Sequence, residues 1–126
     1  MKNFLFVLAT FFVILSSCKK DDCVAGDLET VIVGTWDVIV LGGNTGQVEF
    51  RENGDLEDPD DILVGGESGG ELFDIKSYVV TSDSLLTLKA ESSGGSSIEY
   101  DLDITSFECD RIEFDFGGIP GHFDRD

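Results

Sequence analysis

The sequence predicts a small all-β domain, either an up-and-down antiparallel barrel of about eight short strands or a compact sandwich. Three observations carry that expectation. From Val31 onward apolar and polar residues alternate at period two, most clearly where Ile98, Tyr100, Leu102 and Ile104 interleave with Glu99, Asp101 and Asp103. Each alternating stretch is cut by a cluster of glycine, serine, asparagine or aspartate. No stretch of the same span keeps a helical period. The 126 residues leave room for one such domain, and closing the sheet on itself would remove its exposed edges.

The chain opens on a positively charged start, Met1-Lys2-Asn3, followed over residues 4–15 by an almost unbroken apolar run. That run is long enough for a secretory signal and shorter than the roughly 20 residues a membrane-spanning helix needs. It ends in Leu15-Ser16-Ser17-Cys18, which resembles the bacterial lipobox, whose cysteine is acylated before cleavage in front of it. A buried amphipathic helix is the alternative, but the segment is apolar on every face and drops abruptly into Lys19-Lys20-Asp21-Asp22. The expected organisation is a cleaved lipoprotein signal peptide at 1–17, a lipidated tether with a short helical or irregular lead-in at 18–30, and the β domain at 31–126. Each buried acyl methylene is worth about 0.8 kcal/mol, so an N-terminal Cys18 carrying more than one chain makes a membrane the first expected partner. The residues after it resemble the lysine-plus-acid signal of Bacteroidetes-type lipoproteins sent to the outer face of the outer membrane; a solvated linker is the alternative.

Composition sets the next bounds. With 26 acidic and 8 basic side chains the formal charge is −18, which repels the phosphate backbone and excludes nucleic acid as an expected partner. The length excludes a two-domain cofactor enzyme, and no cofactor is expected. Lys2 is the only charge lost with residues 1–17, so the exported chain stays strongly acidic and stands off an anionic lipid surface. Once Cys18 is acylated, Cys23 and Cys109 remain in a chain bound for an oxidising compartment, where a disulfide between them is expected. Two free thiols, or a metal site with His122, are the alternatives.

Along the domain, Asp27 is the expected N-cap of a short helical turn over 27–33. Trp36, Val38 and Val40 then mark the inward face of the first strand, and Val48 and Phe50 that of the second. In Arg51-Glu52-Asn53-Gly54-Asp55 a two-residue loop would oppose Glu52 to Asp55, so side-chain parity selects a three-residue loop with Gly54 left-handed. That register pairs Arg51 with Asp55 and Phe50 with Leu56. Asp55, Glu57, Asp58, Asp60 and Asp61 gather oxygen ligands of the kind calcium favours, but without the spacing or glycine of an EF-hand; a solvated acidic loop is the alternative, and no metal is expected.

Gly66-Glu67-Ser68-Gly69-Gly70 matches a Gly-X-Ser-X-Gly pattern, yet a strand rather than a helix follows it, so a glycine-rich loop is expected and no catalytic residue is assigned. Phe73, Ile75 and Val79 are the expected inward set of the next strand, followed by Leu86, Leu88 and Ala90, then 98–104, then Ile112, Phe114 and Phe116. His122, the lone imidazole, carries no assigned role.

Gly34-Thr35-Trp36 opening this all-β run resembles the Gly-X-Trp signature of the lipocalin-like superfamily, in particular its small bacterial lipoproteins. Phe50-Arg51-Glu52-Asn53-Gly54 is similar to the Phe-X-X-Asn/Asp-Gly hairpin of that group, and Phe123-Asp124-Arg125 to its terminal strand. The resemblance implies an up-and-down barrel in which Arg125 packs across Trp36 at a closed end, with Gly34, Trp36 and Arg125 as the fold signature. If 98–104 and 111–116 are the sixth and seventh strands, Cys109 falls in a connection at that same end, near the segment carrying Cys23. The strands are shorter than those of the larger lipocalins, so the interior is either a small calyx or filled by its own side chains.

The functional expectation is a non-catalytic lipoprotein held at the outer membrane, on its periplasmic side or at the cell surface. Glycine-rich loops around 42–46, 65–70 and 117–121 would form an open end for a small hydrophobic ligand. The alternative is a structural or protein-interaction module with a filled core and an acidic exterior.

Overall fold

A computed structural model describes residues 26–125, and Cys18, Cys23 and the leader lie outside them. The chain begins with one helical turn, α1 (Leu28–Val31), capped by the Asp27 carboxylate, which accepts from the Thr30 amide at 3.1 Å. Nine antiparallel strands follow: β1 (Gly34–Val40), β2 (Gly43–Phe50), β3 (Leu56–Glu57), β4 (Gly66–Ser68), β5 (Glu71–Ser82), β6 (Leu85–Ser92), β7 (Ser97–Phe107), β8 (Arg111–Phe116) and β9 (Ile119–Asp124). They form a single curled sheet, a half-barrel, in the order β3-β2-β1-β9-β8-β7-β6-β5-β4. Apart from β3 and β4, sequential strands pair with one another, and the pairing of β1 with β9 joins the start of the meander to its end.

The two edges of the sheet, β3 and β4, are not joined by a ladder. A single bridge between Asp55 and Ser77 and a hydrogen bond from the Tyr78 amide to the Gly54 carbonyl at 3.0 Å bring the β2–β3 turn against β5. The Tyr78 hydroxyl, donating to the Arg51 carbonyl at 2.5 Å, fastens the same turn from inside, and its ring meets Phe50 edge-on at 5.0 Å. The strand count exceeds the expected eight because the span between the second strand and the long β5 contains two short strands. The segments expected as sixth and seventh are β7 and β8.

The β2–β3 turn has the parity-selected register: Phe50 faces Leu56, the Arg51 amide donates to the Asp55 carbonyl at 2.9 Å, and Gly54 sits at φ +99. The β5 expectation is corrected. Phe73 is buried, but Ile75 and Val79 are 52% and 60% exposed, while Lys76, Tyr78 and Val80 turn inward. The cause is a bulge: Phe73 faces Ser92 and Ile75 faces Glu91, so Asp74 is an extra residue that shifts every later side chain to the other surface.

The core runs through the curl and reaches Leu28, Val31 and Ile32, so packing begins ahead of the expected domain start at 31. The Leu28 amide donates to the Asp83 carboxylate at 3.0 Å, tying α1 to the β5–β6 turn and stoppering that end of the sheet.

Burial pushes the Tyr78 hydroxyl above the ordinary tyrosine pKa, with Glu29 and Glu52 adding to the rise. The folded state therefore holds this proton more tightly than the unfolded chain. The resulting stability is intact below about pH 10 and is lost as pH rises through the raised value. Urea unfolding midpoints are expected to fall through that alkaline window, and Tyr78→Phe to flatten this part of the pH dependence; an unchanged slope in the variant would contradict the assignment.

Candidate functional site

The stoppered end is organised by Arg125. Its Nη1 donates to the Val33 carbonyl at 2.9 Å, and its Nη2 donates to the carbonyls of Val31 at 3.0 Å and Cys109 at 2.8 Å. The Nε reaches the Cys109 carbonyl at 3.1 Å, and the guanidinium lies 4.0 Å over the centre of the fully buried Trp36 ring. Trp36 in turn donates from Nε1 to the Ile32 carbonyl at 2.7 Å. Gly34 leaves the space this requires, since a Cβ there would stand 2.7 Å from Arg125 Nη1. Burial lowers the Arg125 pKa from its ordinary value, opposed by the charge of Asp110. One side chain thus gathers the lead-in, the first strand, the β7–β8 connection and the last strand.

Cys109 is the one cysteine among the described residues and is disulfide-bonded. Cys23, its expected partner, and the lipidation candidate Cys18 fall outside those residues.

The acidic candidates do not form a cation cage. Asp58 is buried, and its carboxylate accepts from the amides of Ile62 at 2.7 Å, Leu63 at 2.8 Å and Val64 at 3.1 Å. The ammonium of Lys76 bonds the Asp58 carbonyl and pairs with Asp61 at 2.5 Å. Glu57 pairs with Arg51 at 2.9 Å, and the Asp55 carboxylate takes a hydrogen bond from Asn53 at 3.1 Å. Asp60 is exposed, and among the described residues no three groups of metal-binding type converge. Instead of a solvated loop, the segment 58–65 is a strap across the gap between β3 and β4, drawn in by a buried carboxylate and a buried lysine.

Ser68 ends β4 and faces Glu71 across the two-residue turn Gly69-Gly70. His122 is on β9, with β8, β7, β6 and β5 between it and β4 in the sheet order, 3.4 Å from the Asp124 carboxylate. The Gly-X-Ser-X-Gly stretch is therefore a hairpin, without the helix a nucleophile elbow needs.

At the end opposite Arg125 the sheet encloses an apolar cavity of about 190 Å³. Val38, Val40, Leu88, Leu102 and Phe114 line its walls. Tyr100, Phe116 and Ile119 stand at its mouth, where the two aromatic rings meet edge-to-face at 5.6 Å and remain 38% and 40% exposed. The remaining wall comes from Ile62 and Leu63 on the strap.

The turns at 41–42 and 117–118 adjoin this mouth, as expected of the loops around 42–46 and 117–121. The stretch 65–70 is instead mostly the short strand β4 and its turn, and does not line the cavity. Ile62 and Leu63 were missed because the acidic run before them dominates the segment; the apolar triplet Ile62-Leu63-Val64 was the available signal.

No known protein family, curated protein or solved structure matches this chain.

Asp58→Ala would leave three strap amides without their acceptor and Lys76 with less compensation inside the fold. A loss of about 3 kcal/mol in urea unfolding is expected, with faster amide exchange at residues 62–64. Asp58→Asn, which keeps one oxygen acceptor, should recover part of it. Unchanged exchange at these amides in the alanine variant would show that the strap is held by something else.

Proposed function

We propose that this chain is a non-catalytic lipoprotein anchored at the outer membrane through acylated Cys18, on the periplasmic side or at the cell surface. In this reading its curled sheet is a lipocalin-like barrel that takes a small hydrophobic ligand. The observation that carries the ligand reading is the apolar cavity of about 190 Å³ between the strap and the sheet. Ligand pockets for drug-sized molecules run from roughly 300 Å³ upward, whereas an engineered cavity of about 150 Å³ accepts benzene. The chemistry that fits is one ring or a short acyl segment, with the rest of the molecule outside.

Leu28 is fastened at the stoppered end, so an anchor at Cys18 would attach to the domain on the side opposite the cavity mouth. A Cys23–Cys109 disulfide would lock the tether to the β7–β8 connection and contribute roughly 4 to 5 kcal/mol by the chain-entropy relation. The displacement of Ser68 from His122 supports the non-catalytic reading.

The neutral fluorescent probe N-phenyl-1-naphthylamine is expected to brighten on binding. Leu63→Trp, a partly buried lining position on the strap, should abolish the signal without unfolding the protein. No brightening in the parent protein would favour the filled interaction module instead. Separately, Cys18→Ala is expected to move the protein from the membrane to the soluble fraction on centrifugation of lysed cells, and retention in the membrane would remove the anchor from the reading.

A further inference from the structure

We propose that the cavity mouth selects amphiphiles with a cationic head group, an alkylammonium in preference to the carboxylate of the same chain length. This rests on the ligand-binding reading above and adds the chemical class of the ligand. The cavity, about 190 Å³ and walled by aliphatic and aromatic side chains, holds part of a hydrocarbon chain, so a head group must remain at the rim.

The rim is aromatic and apolar. Tyr100 and Phe116 form an edge-to-face pair, their rings half-exposed, beside the exposed Ile119, and exposed Leu41 follows the lining residue Val40 at the tip of the β1–β2 turn. Aromatic faces attract ammonium groups and give carboxylates nothing in return.

Charge acts in the same direction. The cations among the described residues are all engaged. Arg51 pairs with Glu57, Arg111 with Asp124 and Lys89 with Glu91. Arg125 is held by backbone carbonyls at the stoppered end, and Lys76 is held by Asp61 and the Asp58 carbonyl beneath the strap. None of them lines the cavity. Carboxylates are the immediate chain neighbours of the rim instead: Glu99 and Asp101 flank Tyr100 on the opposite face of β7, Asp115 precedes Phe116, and Asp60 stands close to the lining residue Ile62, both being neighbours of Gly46. The Asp101 and Asp115 side chains accept hydrogen bonds from Thr87 at 2.8 Å and from the Gly118 amide at 2.7 Å, which holds their charge at this end without neutralising it. An incoming carboxylate meets like charge and no cation in the lining, whereas an ammonium meets half-exposed aromatic rings and acidic neighbours.

The test is displacement of bound N-phenyl-1-naphthylamine by dodecyltrimethylammonium, dodecanol and dodecanoate, each below its micelle concentration. The ammonium is expected to compete about tenfold better than the carboxylate, with the alcohol between them and the gap narrowing as salt is added. Two variants separate the mouth from the protein's overall charge. Tyr100→Lys places a cation at the rim and should reverse the order, whereas Glu52→Gln makes the same one-unit charge change at the far turn and should leave it unaltered. Equal competition by carboxylate and ammonium would overturn the proposal while leaving the cavity reading intact. So would an ammonium preference that survives Tyr100→Lys or that moves equally in both variants. Failure of the probe to bind at all would end both.

Discussion

The fold depends on the fork of hydrogen bonds that Arg125 makes at the stoppered end. Backbone carbonyls at the mouth of a curled sheet need partners as surely as those within a ladder, and a short chain has little left over to cover them. A planar guanidinium is suited to this because several fixed donors can satisfy carbonyls from different segments while its face covers an indole. Here it joins Val31 and Val33 of the lead-in to the distant Cys109, from a residue just after the last strand. The arrangement also accounts for the glycine at position 34: the backbone there stands at φ +134, and a side chain would occupy the space of the guanidinium. Gly34, Trp36 and Arg125 are thus one physical unit.

A second constraint operates where the sheet fails to close. Strands β3 and β4 are too short to zip together, and the gap between them is spanned by irregular chain whose amides must be satisfied locally. Asp58 does this by turning its carboxylate inward onto three successive amides, and Lys76 supplies the opposing charge. Burying an acid in a chain of net charge −18 is costly unless donors surround it, and this strap provides them. The strap then carries Ile62 and Leu63 into the cavity wall, so the polar fastening of the gap and the shape of the apolar cavity are two results of one turn.

The legible and illegible parts of the molecule divide along this line. Alternation identified the inward faces of β1, β6, β7 and β8 because those strands keep an unbroken pleat over the residues concerned. The β2–β3 register was legible because like charges and a lone glycine leave one acceptable pairing. Asp74 defeated the reading of β5: a bulge inserts a residue without a compositional mark, and parity reasoning past it assigns every side chain to the wrong surface. Asp58 and Lys76 were illegible for a different reason. A carboxylate that caps backbone amides is indistinguishable in sequence from one that faces water, and the lysine that answers it is distant in the chain.

The place of the cavity follows from a gradient in side-chain size written along the strands. Proceeding from the stoppered end, the inward positions of β1 run Trp36, Val38, Val40, and those of β2, read in the same direction, run Phe50, Val48, Gly46. On β9 the sequence is Phe123 and then Gly121, over which the Phe114 ring lies so closely that a Cβ would stand 2.7 Å from it. The large rings of Trp36, Phe50 and Phe123 therefore pack together at one end, with Phe123 centred 6.4 Å from Trp36 and 5.5 Å from Phe50. Toward the other end β1, β2 and β9 carry only valine and glycine at these positions. Walls held apart while the side chains between them shrink must either collapse or leave space. Hydrogen-bonded strands resist collapse, since their spacing is set by the ladder and not by what stands between the walls. The void consequently opens at the end away from Arg125, where Val38 and Val40 share its wall with Leu88, Leu102 and Phe114.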